Sequence, residues 1–249
     1  MTYPVPVAIL LASVKPVQDL FGGLPAKTDF RMRLVNNSER LVHISSNGER
    51  LEGALAVPEG AEGVVLFAHG SGSSRHSPRN NYVAQVLRRA GLGTLLMDLL
   101  TRAEDIDYQT RFDIDLLAER LDAATAWLME DDETGGKRIG YFGASTGAAA
   151  AVKSAASAGS MIGAIVSRGG RPDLAMESLS KVVSPTLLIV GGQDDMVIEL
   201  NRAAYERIKA EKEMVIVPRA THLFEEPGAL EEVASLAARW FKKYLKPLE

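Results

Sequence analysis

The chain has 249 residues, 46% apolar and 24% charged, with a net charge of −4 and a pI near 5.7. That balance supports a substantial core and argues against a nucleic-acid surface, which would need a basic patch. Cysteine is absent, which excludes disulfides, thiolate metal sites and a cysteine nucleophile.

Read in chain order, the first apolar stretch is Val5 to Val14. It is too short to span a bilayer and has no basic flank, because Lys15 is the first positive side chain. A cytoplasmic location with no membrane partner is the expectation. Residues 1–29 read as an irregular N-terminal arm on a single domain covering 1–249. Phe30–Val35, Leu41–Ser45 and Glu52–Val57 alternate between turn residues and predict antiparallel strands. From Gly63 the pattern changes to continuous apolar runs: Val64–Ala68, Thr94–Asp98, Arg138–Phe142, Gly163–Ser167, Thr186–Val190 and Glu213–Val217. Such runs are what strands buried on both faces require. Helical patterns fall between them at Asn80–Arg89, Phe112–Glu130, Thr146–Ala158, Leu200–Lys209 and Leu230–Tyr244. This alternation predicts an α/β fold, a mostly parallel doubly wound sheet with antiparallel N-terminal strands. Only about seventeen residues separate Ser167 from Pro185, room for a loop and one short helix, so no large cap domain is expected there.

The chemistry concentrates in Gly143-Ala144-Ser145-Thr146-Gly147, set between a buried strand and an alanine-rich helix. This is the context of a nucleophile elbow, in which a sharp turn exposes a serine hydroxyl and aims the helix's first amides at a developing oxyanion. A serine needs a base and the base an orienting acid. His222 follows the last strand, at the sheet edge where ligand groups collect. Asp194 follows the paired glycines of Val190-Gly191-Gly192-Gln193-Asp194-Asp195, with Asp195 assigned to the loop. Helix capping is the competing role for either aspartate. The glycine-rich loop Ala68-His69-Gly70-Ser71-Gly72-Ser73 predicts an oxyanion hole from the amides of Ser71 and Thr146, with His69 pinning the loop. Arg75, Arg168 and Arg171 are candidate ligands for an anionic substrate, against a role in holding their own loops. No metal-ligand cluster and no cofactor are called for.

Two rivals use the same residues. The glycine-rich turn with Tyr205 and Lys209 has the spacing of a short-chain dehydrogenase, but several strands precede it and the third glycine is missing. A non-catalytic binding module on the same fold is the other.

The motifs Phe67-Ala68-His69-Gly70-Ser71-Gly72-Ser73-Ser74, Tyr141-Phe142-Gly143-Ala144-Ser145-Thr146-Gly147, Leu187-Leu188-Ile189-Val190-Gly191-Gly192-Gln193-Asp194 and Ala220-Thr221-His222-Leu223-Phe224-Glu225-Glu226-Pro227-Gly228 resemble the α/β-hydrolase superfamily, in its dienelactone-hydrolase-like branch of small cap-less enzymes. The resemblance runs from about Gly53 to Tyr244. It implies Ser145 as nucleophile, Asp194 as acid and His222 as base. Members acting on dienelactone itself characteristically have cysteine where this chain has Ser145, which makes ester hydrolysis the better expectation. The expected partner is a small-molecule ester with a short acyl chain. Acyl transfer and perhydrolysis would use the same acyl-enzyme, and monomer and homodimer both stay open.

Overall fold

The computed structural model describes residues 39–246; the arm at 1–29 and the strand expected at Phe30–Val35 lie outside them. Eight strands form one sheet: β1 (Arg40–Ser46), β2 (Glu49–Ala56), β3 (Gly63–Ala68), β4 (Gly93–Met97), β5 (Arg138–Ala144), β6 (Ile162–Arg168), β7 (Thr186–Gly191) and β8 (Lys212–Val217). Their order is β1-β2-β4-β3-β5-β6-β7-β8. The β1–β2 and β2–β4 pairs are antiparallel, and all later pairs are parallel. The β1–β2 hairpin turns at Asn47 and Gly48, with φ of 51° and 82°. Positive φ at both central residues is the geometry that an Asn-Gly pair favours.

Six helices cover the sheet: α1 (Pro78–Arg89), α2 (Ile114–Glu130), α3 (Thr146–Ala158), α4 (Met176–Leu179), α5 (Asp195–Arg207) and α6 (Ala229–Tyr244). Alternate residues of each parallel strand serve the two faces. Val64, Leu66 and Tyr141 pack with Leu117 and Leu121 of α2 and the alanines of α3. Val65, Phe67 and Phe142 pack with Val83 and Leu87 of α1 and Ala237 and Phe241 of α6. The sheet is therefore the shared wall of two cores. That explains the continuous apolar runs, since every strand position from β3 to β7 except Arg138 is buried.

Most boundaries follow the sequence reading, with two informative differences. Helix α5 begins at Asp195, five residues before the predicted Leu200, because the contiguous apolar run Met196-Val197-Ile198 does not show a helical period. The connection from β4 to α2 holds two short 3-10 turns, Glu104–Ile106 and Thr110–Phe112, that the pattern did not reveal. Arg120 of α2 anchors it through Glu104 at 2.6 Å, and Arg111 closes it on Asp105 at 2.9 Å. Between β6 and β7 only a 3-10 turn at Pro172–Ala175 and the single turn of α4 occur. No helix among the described residues is long and apolar enough to cross a membrane.

Candidate active site

Strand β5 runs into α3 with a single residue, Ser145, between them. Its backbone sits at φ 50°, ψ −123°, a region costly for any residue with a Cβ and found mainly at functional sites. The two flanking glycines make this turn possible. A Cβ on Gly143 would lie 2.5 Å from the Ala148 Cα, and one on Gly147 would lie 2.1 Å from the Ala68 carbonyl oxygen. The elbow is thus wedged against the end of β3, and only glycine fits at either position. Ser145 occupies the cap position of α3, yet its side chain makes no capping hydrogen bond. Its backbone is held from both sides: the Arg171 N–H donates to the Ser145 carbonyl at 3.0 Å, and the Ser145 N–H donates to the Arg168 carbonyl at 3.4 Å.

Asp194 and His222 lie 28 residues apart and meet at the carboxyl edge of the sheet, where His222 Nδ1 stands 2.6 Å from Asp194 Oδ2. Asp194 takes the cap position of α5, but its carboxylate caps nothing; it is committed to the imidazole. Asp195 is exposed in the first helical turn. The His222 side chain is 39% exposed while that of Asp194 is 15% exposed. The carboxylate is therefore sheltered, with the ring's outer edge open to solvent. Among the described residues no hydrogen bond joins Ser145 Oγ to His222 Nε2.

The loop after β3 borders the serine: a Cβ on Gly70 would touch the Ser145 Cβ at 2.9 Å. His69 is 7% exposed. Its Nδ1–H donates to the Gly70 carbonyl at 2.9 Å, and its Nε2 accepts the Leu99 N–H at 3.0 Å. That pattern needs a neutral ring, and burial pushes its pKa below the usual histidine value. His69 ties the loop to the end of β4. The Ser71 amide donates to Thr146 Oγ1 at 3.0 Å, which locks the loop to the first residue of α3. The Thr146 amide, at the helix start, has no intrahelical acceptor.

The His69 arrangement carries a pH dependence. The folded pKa is lowered, so below about pH 6.5 the unfolded chain binds a proton that the folded ring resists. The contribution is fully present above the unfolded pKa and lost as pH falls. The drop in Tm between pH 7.5 and pH 5.5 should be smaller in His69→Gln than in the parent. Equal drops, followed by differential scanning calorimetry, would remove His69 as a source.

The three arginines have different fates. Arg75 bonds Asp98 through its amide at 2.7 Å, and its guanidinium pairs with both Asp98 and Glu52. Arg171 forms a two-pronged pair with Asp173 at 2.9 and 2.8 Å. Both forks are filled by carboxylates of the same chain. Arg168 is buried without an acid partner. Sequence reading also passed over the apolar residues on the loops at this edge. Ile106 (84% exposed), Tyr108, Phe112, Leu174, Met196 and Leu223 all face solvent, on the connections after β4, β6, β7 and β8. Their isolation among polar neighbours gave no periodic signal. Among the described residues no three His, Asp or Glu side chains gather to hold a metal ion.

Comparison with known proteins bears on the fold and the family. A crystal structure of a dienelactone hydrolase from Anabaena variabilis shares 57% identity, covers 84% of this chain and 98% of its own, and superposes with a TM-score of 0.81. The esterase Est1E from Butyrivibrio proteoclasticus, whose structure with ferulic acid is known, has a TM-score of 0.70 at 17% identity, covering 82% of this chain and 98% of its own. At that identity it speaks for the fold alone. Curated relatives from two Mycobacterium tuberculosis strains, provisionally named phosphoribosyl transferases, are 57% identical over 193 residues. The match takes in 78% of this chain but 44% of theirs, so the chain spans less than half their length. The dienelactone hydrolase family model matches residues 51–248, which include the elbow, the Asp194 loop and the His222 loop. A match over most of the chain, on the same sheet and the same turns, makes this chain a member of the dienelactone hydrolase family.

Proposed function

We propose that the chain is a serine hydrolase that cleaves small carboxylic esters through an acyl-enzyme. The observation that carries this reading is the strained Ser145, its hydroxyl withheld from helix capping, at the same sheet edge as an imidazole held by a sheltered aspartate at 2.6 Å. In this mechanism His222 Nε2 takes the Ser145 proton as Oγ attacks the ester carbonyl. Asp194 fixes the tautomer through Nδ1–H and stabilises the imidazolium. The tetrahedral oxyanion is received by the amides of Thr146 and Ser71, the latter exchanging Thr146 Oγ1 for the stronger anionic acceptor. The imidazolium then protonates the departing alcohol. Water, deprotonated by His222, releases the acid.

The test is labelling by a fluorophosphonate probe, which requires an activated serine. Labelling of the parent and none of Ser145→Ala is the expected result; no labelling of either would end this reading. Acyl transfer to an added alcohol or peroxide shares the acyl-enzyme, and product analysis separates these from hydrolysis.

The absence of a cap between β6 and β7 supports a preference for short acyl chains. Each methylene gains only about 0.8 kcal/mol when buried, and a shallow site buries few. Across 4-nitrophenyl esters, kcat/KM should be greatest from acetate to butyrate and fall by C8 to C10. A rise continuing to C10 would place a deep apolar pocket here, assembled from the exposed side chains on the loops after β4 and β6.

A further inference from the structure

Arg168 ends β6, and its side chain takes the face served by Ala164 and Val166, toward α1 and α6. It is 8% exposed. Among the described residues its buried Nε and Nη1 have no hydrogen-bond partner, and Nη2 lies 3.4 Å from Oδ1 of the buried Asn80, in the first turn of α1. A buried guanidinium is costly unless an anion and good hydrogen bonds compensate it. Here the neighbouring charge has the wrong sign. Burial and the positive charge of Arg79 together lower the Arg168 pKa to about 10. Among the described residues Arg79 itself has a buried Nε without a partner, and its one ion pair is with Glu225 at 3.0 Å, a carboxylate whose side chain is 62% exposed. Two guanidinium groups thus stand at the positive end of a twelve-residue helix, with one solvated carboxylate paired to Arg79.

The place is next to the proposed reaction centre. The Arg168 carbonyl accepts the Ser145 N–H. A Cβ on the following residue, Gly169, would touch the His222 carbonyl oxygen at 3.0 Å and its Cε1 at 3.6 Å. Glu225 is three residues beyond His222 on the same loop.

We propose that Arg168, Arg79 and the first turn of α1 form a binding site for a small oxyanion, a carboxylate or phosphate group, carried by the substrate beside the ester bond that Ser145 attacks. The specificity for an anionic ester rests on the hydrolase reading above; the anion site itself does not. The oxyanion takes over from Glu225 as the partner of Arg79 and supplies acceptors for the orphaned N–H groups of both arginines, in the planar geometry that guanidinium favours. Glu225, exposed and on a loop, is the group that gives way. Arg79 and Asn80 had no signal in the sequence, because their importance comes from lying under the end of a strand 88 residues later.

The test has two arms. Inorganic phosphate and acetate are titrated calorimetrically into the Ser145→Ala protein, alone and combined with Arg79→Gln or Arg168→Gln. Saturable binding that weakens roughly 10-fold or more in either double variant is expected, the range for hydrogen bonds to a charged group. Phosphate binding more tightly than acetate would identify a phosphoryl group, and the reverse a carboxylate. In the second arm kcat/KM is compared for the 4-nitrophenyl monoester of succinic acid and for neutral 4-nitrophenyl butyrate. The ratio should fall roughly 10-fold in Arg79→Gln, mainly through KM, and stay at the parent value in Arg202→Gln, a change on the exposed face of α5. Arg79 is part-exposed, so its variant keeps the test decisive if Arg168→Gln fails to fold. No binding of either anion, with one ester ratio in parent and Arg79→Gln, overturns the proposal. Anion binding without fluorophosphonate labelling would instead sink the hydrolase reading and leave the anion site standing.

Discussion

Replacing Ser145 with alanine is expected to lower 4-nitrophenyl acetate turnover by roughly 10³-fold or more, because nucleophile, base and acid act as one unit. The residual rate would come from the amides of the oxyanion loop and from substrate positioning. The fold should survive the change. Ser145 makes no capping hydrogen bond, and its backbone is held by Arg168 and Arg171 through main-chain atoms that alanine also has. The positive φ of 50° remains strained for alanine, so the Tm should move little in either direction. Near-normal turnover in a folded variant would disprove the nucleophile assignment. Loss of turnover together with loss of fold would not count, which is why circular dichroism belongs beside the assay.

The second large effect separates two neighbouring aspartates. Asp194→Asn should lower kcat by roughly 10³-fold or more, since the amide can offer its N–H to Nδ1 and turn the imidazole into the wrong tautomer. Asp195→Asn should leave kcat within a few-fold of the parent, since Asp195 is exposed in the first turn of α5. Its contribution is a favourable charge near the helix N-terminus, worth about 0.3–1 kcal/mol of stability. The reverse ranking, measured by steady-state kinetics on both variants, would move the acid role to Asp195.

How much of this was legible in the chain depends on the range of the signal. The sheet from β3 to β8 was, because continuous apolar runs bounded by turn residues admit few other readings and length separates strand from helix. The elbow was legible for the same reason: two glycines at fixed spacing around a serine have a steric cause within five residues, and Gly147 against Ala68 bears it out. Asp194 and His222 could be named from their places after β7 and β8, but their approach to 2.6 Å is a tertiary fact. What the chain could not reveal are pairings between distant, non-periodic segments. The partners of Arg75, the 3-10 turns on the way to α2, and the approach of Arg79 to Arg168 all arise from segments that only the finished sheet brings together. The early start of α5 was missed for a local reason, since Met196-Val197-Ile198 is an apolar run without helical spacing.

Ser145 and Asp194 stand where α3 and α5 begin, and they are two of the residue types best suited to satisfy a helix's first amides; neither does so. Each withheld cap forgoes about 1 kcal/mol, a sizeable part of the 5–15 kcal/mol that holds a typical domain together. Under the proposed mechanism, stability and turnover therefore make opposite demands on the same two side chains. A lineage released from the need to react would have an easy first step toward a sturdier protein, by letting those side chains fold back onto their own helices.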